Sequence, residues 1–363
     1  MLRSSSIALT LALILSACAS VPQGARSEPT ASASYAAVDV PAQGETAPVG
    51  TGNGDAADDP AIWRNAADPA ASLILGTDKK AGLYVYGLDG TVRDFVPAGA
   101  LNNVDLREVT HANGRKTVVV AASDRTDRAV PRIALFTLDG TRAKLATLPA
   151  QRFLPVGHAP AEAYGFCMGG PLATGELARA YVVLKDGEVA ESRLVEKGGA
   201  IAAQYVRSFK LATQSEGCVV DDASHQLYVA EEDVAIWRFG LEQAQPAAQS
   251  FARVGDADAL AADIEGLAIA QFNGRTILVA SSQGDNAYAV FDTATGDRLG
   301  RFRINGGAIG GTSDTDGIEL VLGDFGPSWP EGLFVAQDGD NAPAAQNFKL
   351  LSWSAIRTAL RMK

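Results

Sequence analysis

Histidine, cysteine and methionine each occur only three times in 363 residues. The histidines, His111, His158 and His225, stand in no HExxH-like spacing, so a zinc or iron centre built on imidazole is excluded. Neither Cys167 nor Cys218 sits in the HCxxGxxR anion loop of cysteine phosphatases, and the RHGxRxP motif of histidine phosphatases is missing. Gly-Lys-Ser/Thr is missing as well, which removes a P-loop, and Gly165-Phe-Cys-Met-Gly-Gly170 is not a nucleophile elbow. Positive charge is in short supply: the formal net charge is −11, which argues against nucleic acid as a partner. Helical periodicity is scarce, with only Leu241 to Gln245, cut short by Pro246, and Trp353 to Met362 as candidates, both expected to be surface pieces.

The N-terminal apolar run, Ile7 to Leu15, is too short to cross a membrane. Preceded by Arg3 and followed by small residues, it reads as an export signal over residues 1–17. Leu15-Ser16-Ala17-Cys18 resembles a bacterial lipobox, so Cys18 is expected to be lipidated and the protein to be a cell-envelope lipoprotein. Residues 18–45, rich in Ala, Ser, Pro and Gly, read as a flexible tether, and 46–363 as the folded domain. Export permits a Cys167–Cys218 disulfide, but two buried thiols fit the short apolar runs around them equally well.

What the chain has in abundance is glycine, 37 residues, and repetition. A polar residue followed by an alternating apolar run recurs six times: Asp59 to Trp63, Asn103 to Arg107, Tyr164 to Met168, Glu216 to Val220, Glu265 to Ile269 and Asp316 to Leu320. The spacing is roughly 50 residues, the period of propeller blades. After each copy come an apolar strand, a polar break and another strand, many closing on Asp-Gly, Asn-Gly or Thr-Gly. The fold class is therefore all-β, a six-bladed β-propeller.

In a propeller, equivalent points of all blades meet at one rim. That gathers Asp59, Glu216, Glu232, Asp263, Glu265, Gln283, Asp316, Asp338 and Asn341, a set of hard oxygen donors suited to calcium. The polar breaks bring Lys79, Lys80, Arg125 and Lys185 to the same rim, where cations beside metal-binding acids suit a multiply phosphorylated ligand. A lactonase-type hydrolase, or a calcium-stabilised propeller that binds without turnover, is the alternative if those cations lie far from the acids.

These residues resemble the β-propeller phytases. The matching stretches include DAADDPAIW (55–63), GTDKKAGLYVY (76–86), NNVDLR (102–107), SEGCVVDD (215–222), YVAEEDVAIWRF (228–239), DIEGLAI (263–269), SSQGDNAYAVF (281–291) and DTDGIEL (314–320). The resemblance implies a 3-phytase, a monomer that hydrolyses phytate with several calcium ions by in-line attack of a calcium-bound water. It implies catalytic calcium on Glu216, Asp263, Glu265 and Gln283, with Asp59 and the Pro60 and Val104 carbonyls. It further implies a structural calcium on Asp316, Gly317 and Asn341, phosphate contacts from Lys79, Lys80, Arg125, Tyr164 and Lys185, and an acid at the site in Glu232.

Overall fold

The computed structural model describes Met1, residues 35–52 and residues 54–363, and all of these but Met1 belong to one compact unit, Ser32–Lys363. The export signal and Cys18 lie outside the described residues, Met1 excepted.

The described residues form six sheets that follow one another as blades I to VI. Their innermost strands are Ala57–Trp63, Leu101–Thr110, Ala163–Gly169, Ser215–Asp221, Ile264–Phe272 and Ile318–Leu322. Each of the six sequence copies falls on one of these strands, which confirms the six-bladed β-propeller. Strands alternate between faces, and both faces of each sheet pack on a neighbouring blade. Six apolar clusters fill the six seams, for example Leu75, Val85, Val120 and Phe136 between blades I and II.

The tether is shorter than composition suggests. Val38–Val40 pairs in parallel with Arg298–Ile304 at the edge of blade V, and Gly44–Glu45 pairs with Asn347–Ser352 as the outer strand of blade VI. The N-terminal segment thus closes the ring with backbone hydrogen bonds. Leu241 to Gln245 is a turn rather than a helix. The helix Trp353–Ala359 is present, but it is not a surface piece: Trp353 and Ile356 are buried against blades V and VI.

One local device is repeated at the axis. In blades I to V the innermost strand carries a one-residue register shift near its start, as between Ala57 and Pro60 opposite Asp78 and Gly76. Such bulges re-aim a side chain. The residue they turn toward the axis is Asp58, Asn102, Tyr164, Glu216 and Glu265 in turn. In those same five blades the residue after the second strand donates its backbone N–H to a carbonyl two residues before that axial residue. Those donors are Lys79, Arg125, Lys185, Glu232 and Gln283.

Glycines let the inner strands approach one another. A Cβ on Gly165 would lie 1.9 Å from the Glu216 carbonyl oxygen, and one on Gly217 would lie 2.0 Å from that of Glu265. Gly217→Ala should therefore lose about 1–3 kcal/mol in denaturant unfolding. Gly170→Ala, whose Cβ would meet nothing closer than 3.5 Å, should be near neutral. Equal midpoints for the two variants would refute the axial close-packing argument.

Candidate active site

Glu216, Glu232 and Glu265 each bring a carboxylate oxygen within 4.8 Å of the others, and all three are buried. Asp316 extends the cluster through Gln283, whose Nε2 donates to Asp316 Oδ1 at 2.7 Å. Lys79 enters it from blade I, with Nζ 2.8 Å from Asp316 Oδ2, 3.8 Å from Asp58 Oδ2 and paired with Asp55. Asp263 stands at the edge, half-buried, and its carbonyl accepts the Gln283 N–H at 2.9 Å.

Burial dominates the electrostatics. It pushes Asp58 up to about 7, helped by Asp316 and Asp55 and opposed by Lys79. Burial likewise pushes Glu232 up to about 7, with Asp263 and Asp233 adding to it and Gln214 and Lys185 opposing. Burial holds Glu216 well above the carboxylate range, with Asp58, Asp316 and Glu232 adding to it and Lys79 opposing, and it holds Glu265 there too, with Glu216, Glu232 and Asp316 adding. Burial alone would lower Lys79, but Asp58 and Asp316 outweigh it and hold the ammonium charged.

Several of these oxygens have no hydrogen-bond partner: both of Asp58, Oε1 of Glu232 and Oε2 of Glu265. Buried carboxylates without partners are costly unless a cation compensates them. The donors are all oxygen, and the three histidines pair with Glu196, Glu188 and Glu242 away from the cluster. The residues therefore fit a hard divalent cation and not a soft one.

A cationic flank borders the acids. The Tyr164 ring has two cations near it, Arg125 at 5.5 Å from its centroid and Lys185 at 4.8 Å. Arg125 also meets Glu162 at 3.0 Å. Burial, together with Glu216, Glu265 and Glu232, raises the Tyr164 phenol above the tyrosine range, so it stays protonated. Lys80 is exposed beside Lys79 on the same turn.

The ring is one residue out of phase with the sequence copies in blades I and II. Asp58 and Asn102, not Asp59 and Asn103, occupy the axial position, because the bulge falls between Ala57 and Pro60 and between Leu101 and Val104. Asp59 instead accepts the Val104 N–H at 2.9 Å. With Pro60 and Val104 it lines a separate axial cavity of 20 Å³ that also holds Asp105 and Glu319.

The expected trio of Asp316, Gly317 and Asn341 is not brought together by side-chain contacts. Asp316 binds Lys79 and Gln283, the Gly317 carbonyl accepts from Gln337, and Asn341 binds Ala345 and Lys349. Asp338 lies with Asn341 around Lys349, in a groove between blades V and VI. Asp58, Asp55, Asn102 and Glu162 were not anticipated. The doublet Asp58-Asp59 before Pro60 is the signal that could have found Asp58, since neighbours on a strand face opposite ways.

Cys167 and Cys218 are disulfide-bonded. The bond ties the strand that carries Tyr164 to the strand that carries Glu216.

Comparisons with known proteins agree with this geometry. The family model Phytase matches residues 4–363. The 3-phytase of Bacillus subtilis (strain 168) is 43% identical over 328 residues, which cover 87% of this chain and 84% of that protein. A chain from the crystal structure of the mitotic checkpoint complex overlaps 98% of this chain and 87% of its own length. At TM-score 0.47 and 12% identity that likeness carries no argument. The chain belongs to the phytase family and is a phosphoric monoester hydrolase.

Proposed function

We propose that this protein is a calcium-dependent 3-phytase that removes phosphate from myo-inositol hexakisphosphate outside the cytoplasm. The observation that carries the reading is the juxtaposition of buried carboxylates, several of whose oxygens lack a hydrogen-bond partner, with a cationic flank at one rim. The name and identity of the Bacillus relative support the substrate. A lactonase-type site has no need of Lys79, Arg125 and Lys185 beside the acids.

Asp58, Glu216, Asp263, Glu265, Gln283 and Asp316 would hold the calcium. When bound, calcium polarises phosphoryl oxygens and acidifies water. The remaining work falls to the chain's own groups. Arg125 and Lys185, both against the Tyr164 ring, take phosphate oxygens and fix the ester in orientation. Lys80, exposed at the rim, meets further phosphates of the same substrate. Glu232, with Oε2 held by Gln214 at 2.8 Å, is the carboxyl we assign to proton transfer toward the leaving oxygen. The disulfide is in keeping with an exported location, as is the leader with Cys18.

The direct test is phosphate release from phytate in calcium and then in excess chelator. Turnover in calcium and loss in chelator are expected, whereas a folded protein without turnover in calcium would sink the reading.

Two further outcomes follow from the raised carboxyls. In the calcium-free protein the folded state holds protons that the unfolded chain releases above about pH 4.5, so stability should fall as pH rises from about 5 through 7 and beyond. Added calcium should flatten that slope. A flat slope in chelator, by denaturant unfolding, would show that the cluster is already neutralised.

Glu265→Gln should cut turnover about 100-fold or more, on the order of 3 kcal/mol of transition-state stabilisation. It should at the same time stabilise the calcium-free protein, because it removes a buried like charge. A variant that is less stable and fully active would contradict the assignment.

A further inference from the structure

Asn102 is fully buried at the axial position of blade II. Its Oδ1 accepts from Arg125 Nη1 at 2.5 Å, and its Nδ2 donates to Glu216 Oε1 at 2.6 Å. One planar amide therefore joins a phosphate-side cation from blade II to a metal-side carboxylate from blade IV. The same Nδ2 also donates to Asn103 Oδ1 at 2.9 Å.

At this length an amide offers an acceptor and a donor from one rigid plane without a titratable proton. A carboxylate would keep the arginine but face Glu216 with like charge, and an aliphatic side chain would satisfy neither partner. Arg125 already has Glu162 for charge balance, so what Asn102 adds is direction.

We propose that Asn102 is a positioning residue that sets two parts of the site together. It fixes the Arg125 guanidinium toward phosphate, and it occupies Glu216 Oε1 so that the other oxygen of Glu216 faces the cation. This rests on the phytase reading above for its kinetic part only. Groups that orient metal ligands from behind typically change metal affinity or activity about 10- to 100-fold when removed.

The test compares Asn102→Leu and Asn102→Asp with the native protein by phytate kinetics and by calcium titration of the melting temperature. Asn102→Leu, which loses both contacts, should raise KM, lower kcat, and raise the half-saturating calcium about tenfold. Asn102→Asp keeps the acceptor for Arg125 and loses the donor, so its KM should stay within about twofold of native while kcat falls.

Native KM, kcat and calcium midpoint in both variants would overturn the proposal, as would equal rises of KM in both. If Asn102→Leu does not fold, the near-isosteric Asn102→Asp decides the matter alone by its KM-against-kcat split. Should the native protein release no phosphate from phytate, the functional reading fails. The calcium midpoint of the variants then still decides whether Asn102 orients Glu216.

Discussion

The structure depends on negative charge that the fold cannot disperse. Glu216, Glu232, Glu265, Asp58 and Asp316 come from four different blades and meet where burial, more than any neighbour, resists their ionisation. A flexible site would relieve such repulsion by moving apart. Here the inner strands already touch through glycine, the N-terminal strand Gly44–Glu45 completes blade VI, and a disulfide joins blades III and IV. Neutralisation must therefore come from cations or protons and not from rearrangement. Lys79 supplies one charge from within, against several carboxylates, which leaves the balance negative.

The near-sixfold ring is divided chemically. At the axial position blades I, IV, V and VI supply Asp58, Glu216, Glu265 and Asp316, while blades II and III supply Asn102 and Tyr164. At the end of the second strand the division is complementary. Blades I, II and III give Lys79, Arg125 and Lys185, and blades IV and V give Glu232 and Gln283. Carboxylates predominate on blades IV to VI and cations on blades I to III, with blade I supplying both Asp58 and Lys79. A polyanionic ester with cations on one side and bare phosphates on the other matches that polarity.

Much of this was legible in the sequence because a propeller repeats its chemistry at fixed points. The copies at Glu216, Glu265 and Asp316 carry their own phase, since a glycine follows each acid and marks where the next blade's backbone passes. Blades I and II lack that glycine: Asp58 is followed by Asp59 and Asn102 by Asn103, and either member of each doublet fits the pattern. The bulge that chooses between them depends on strand pairing, which composition and spacing do not record. Lys185 was recoverable despite the irregular third blade because it follows an apolar strand, as Lys79 and Arg125 do. Asn341 sits beside Lys349, whose Nζ donates to its Oδ1 at 3.0 Å, a contact between strand and loop that spacing in the sequence does not record.

The acid-glycine pair shows why fold and function are inseparable here. The acid needs the axis to be charged, and the glycine needs the axis to be crowded, so the same two residues concentrate repulsion and remove the space that would relieve it. Gly217 lies against the Glu265 carbonyl, and Gly266 donates its N–H to the Asp316 carbonyl at 2.7 Å. Each acid is thus held by the blade before it, around half the ring. A metal-free site built this way carries its cost as carboxyls driven to hold protons rather than as disorder. Its carboxylates keep their places before a cation arrives, which is the condition for electrostatic preorganisation.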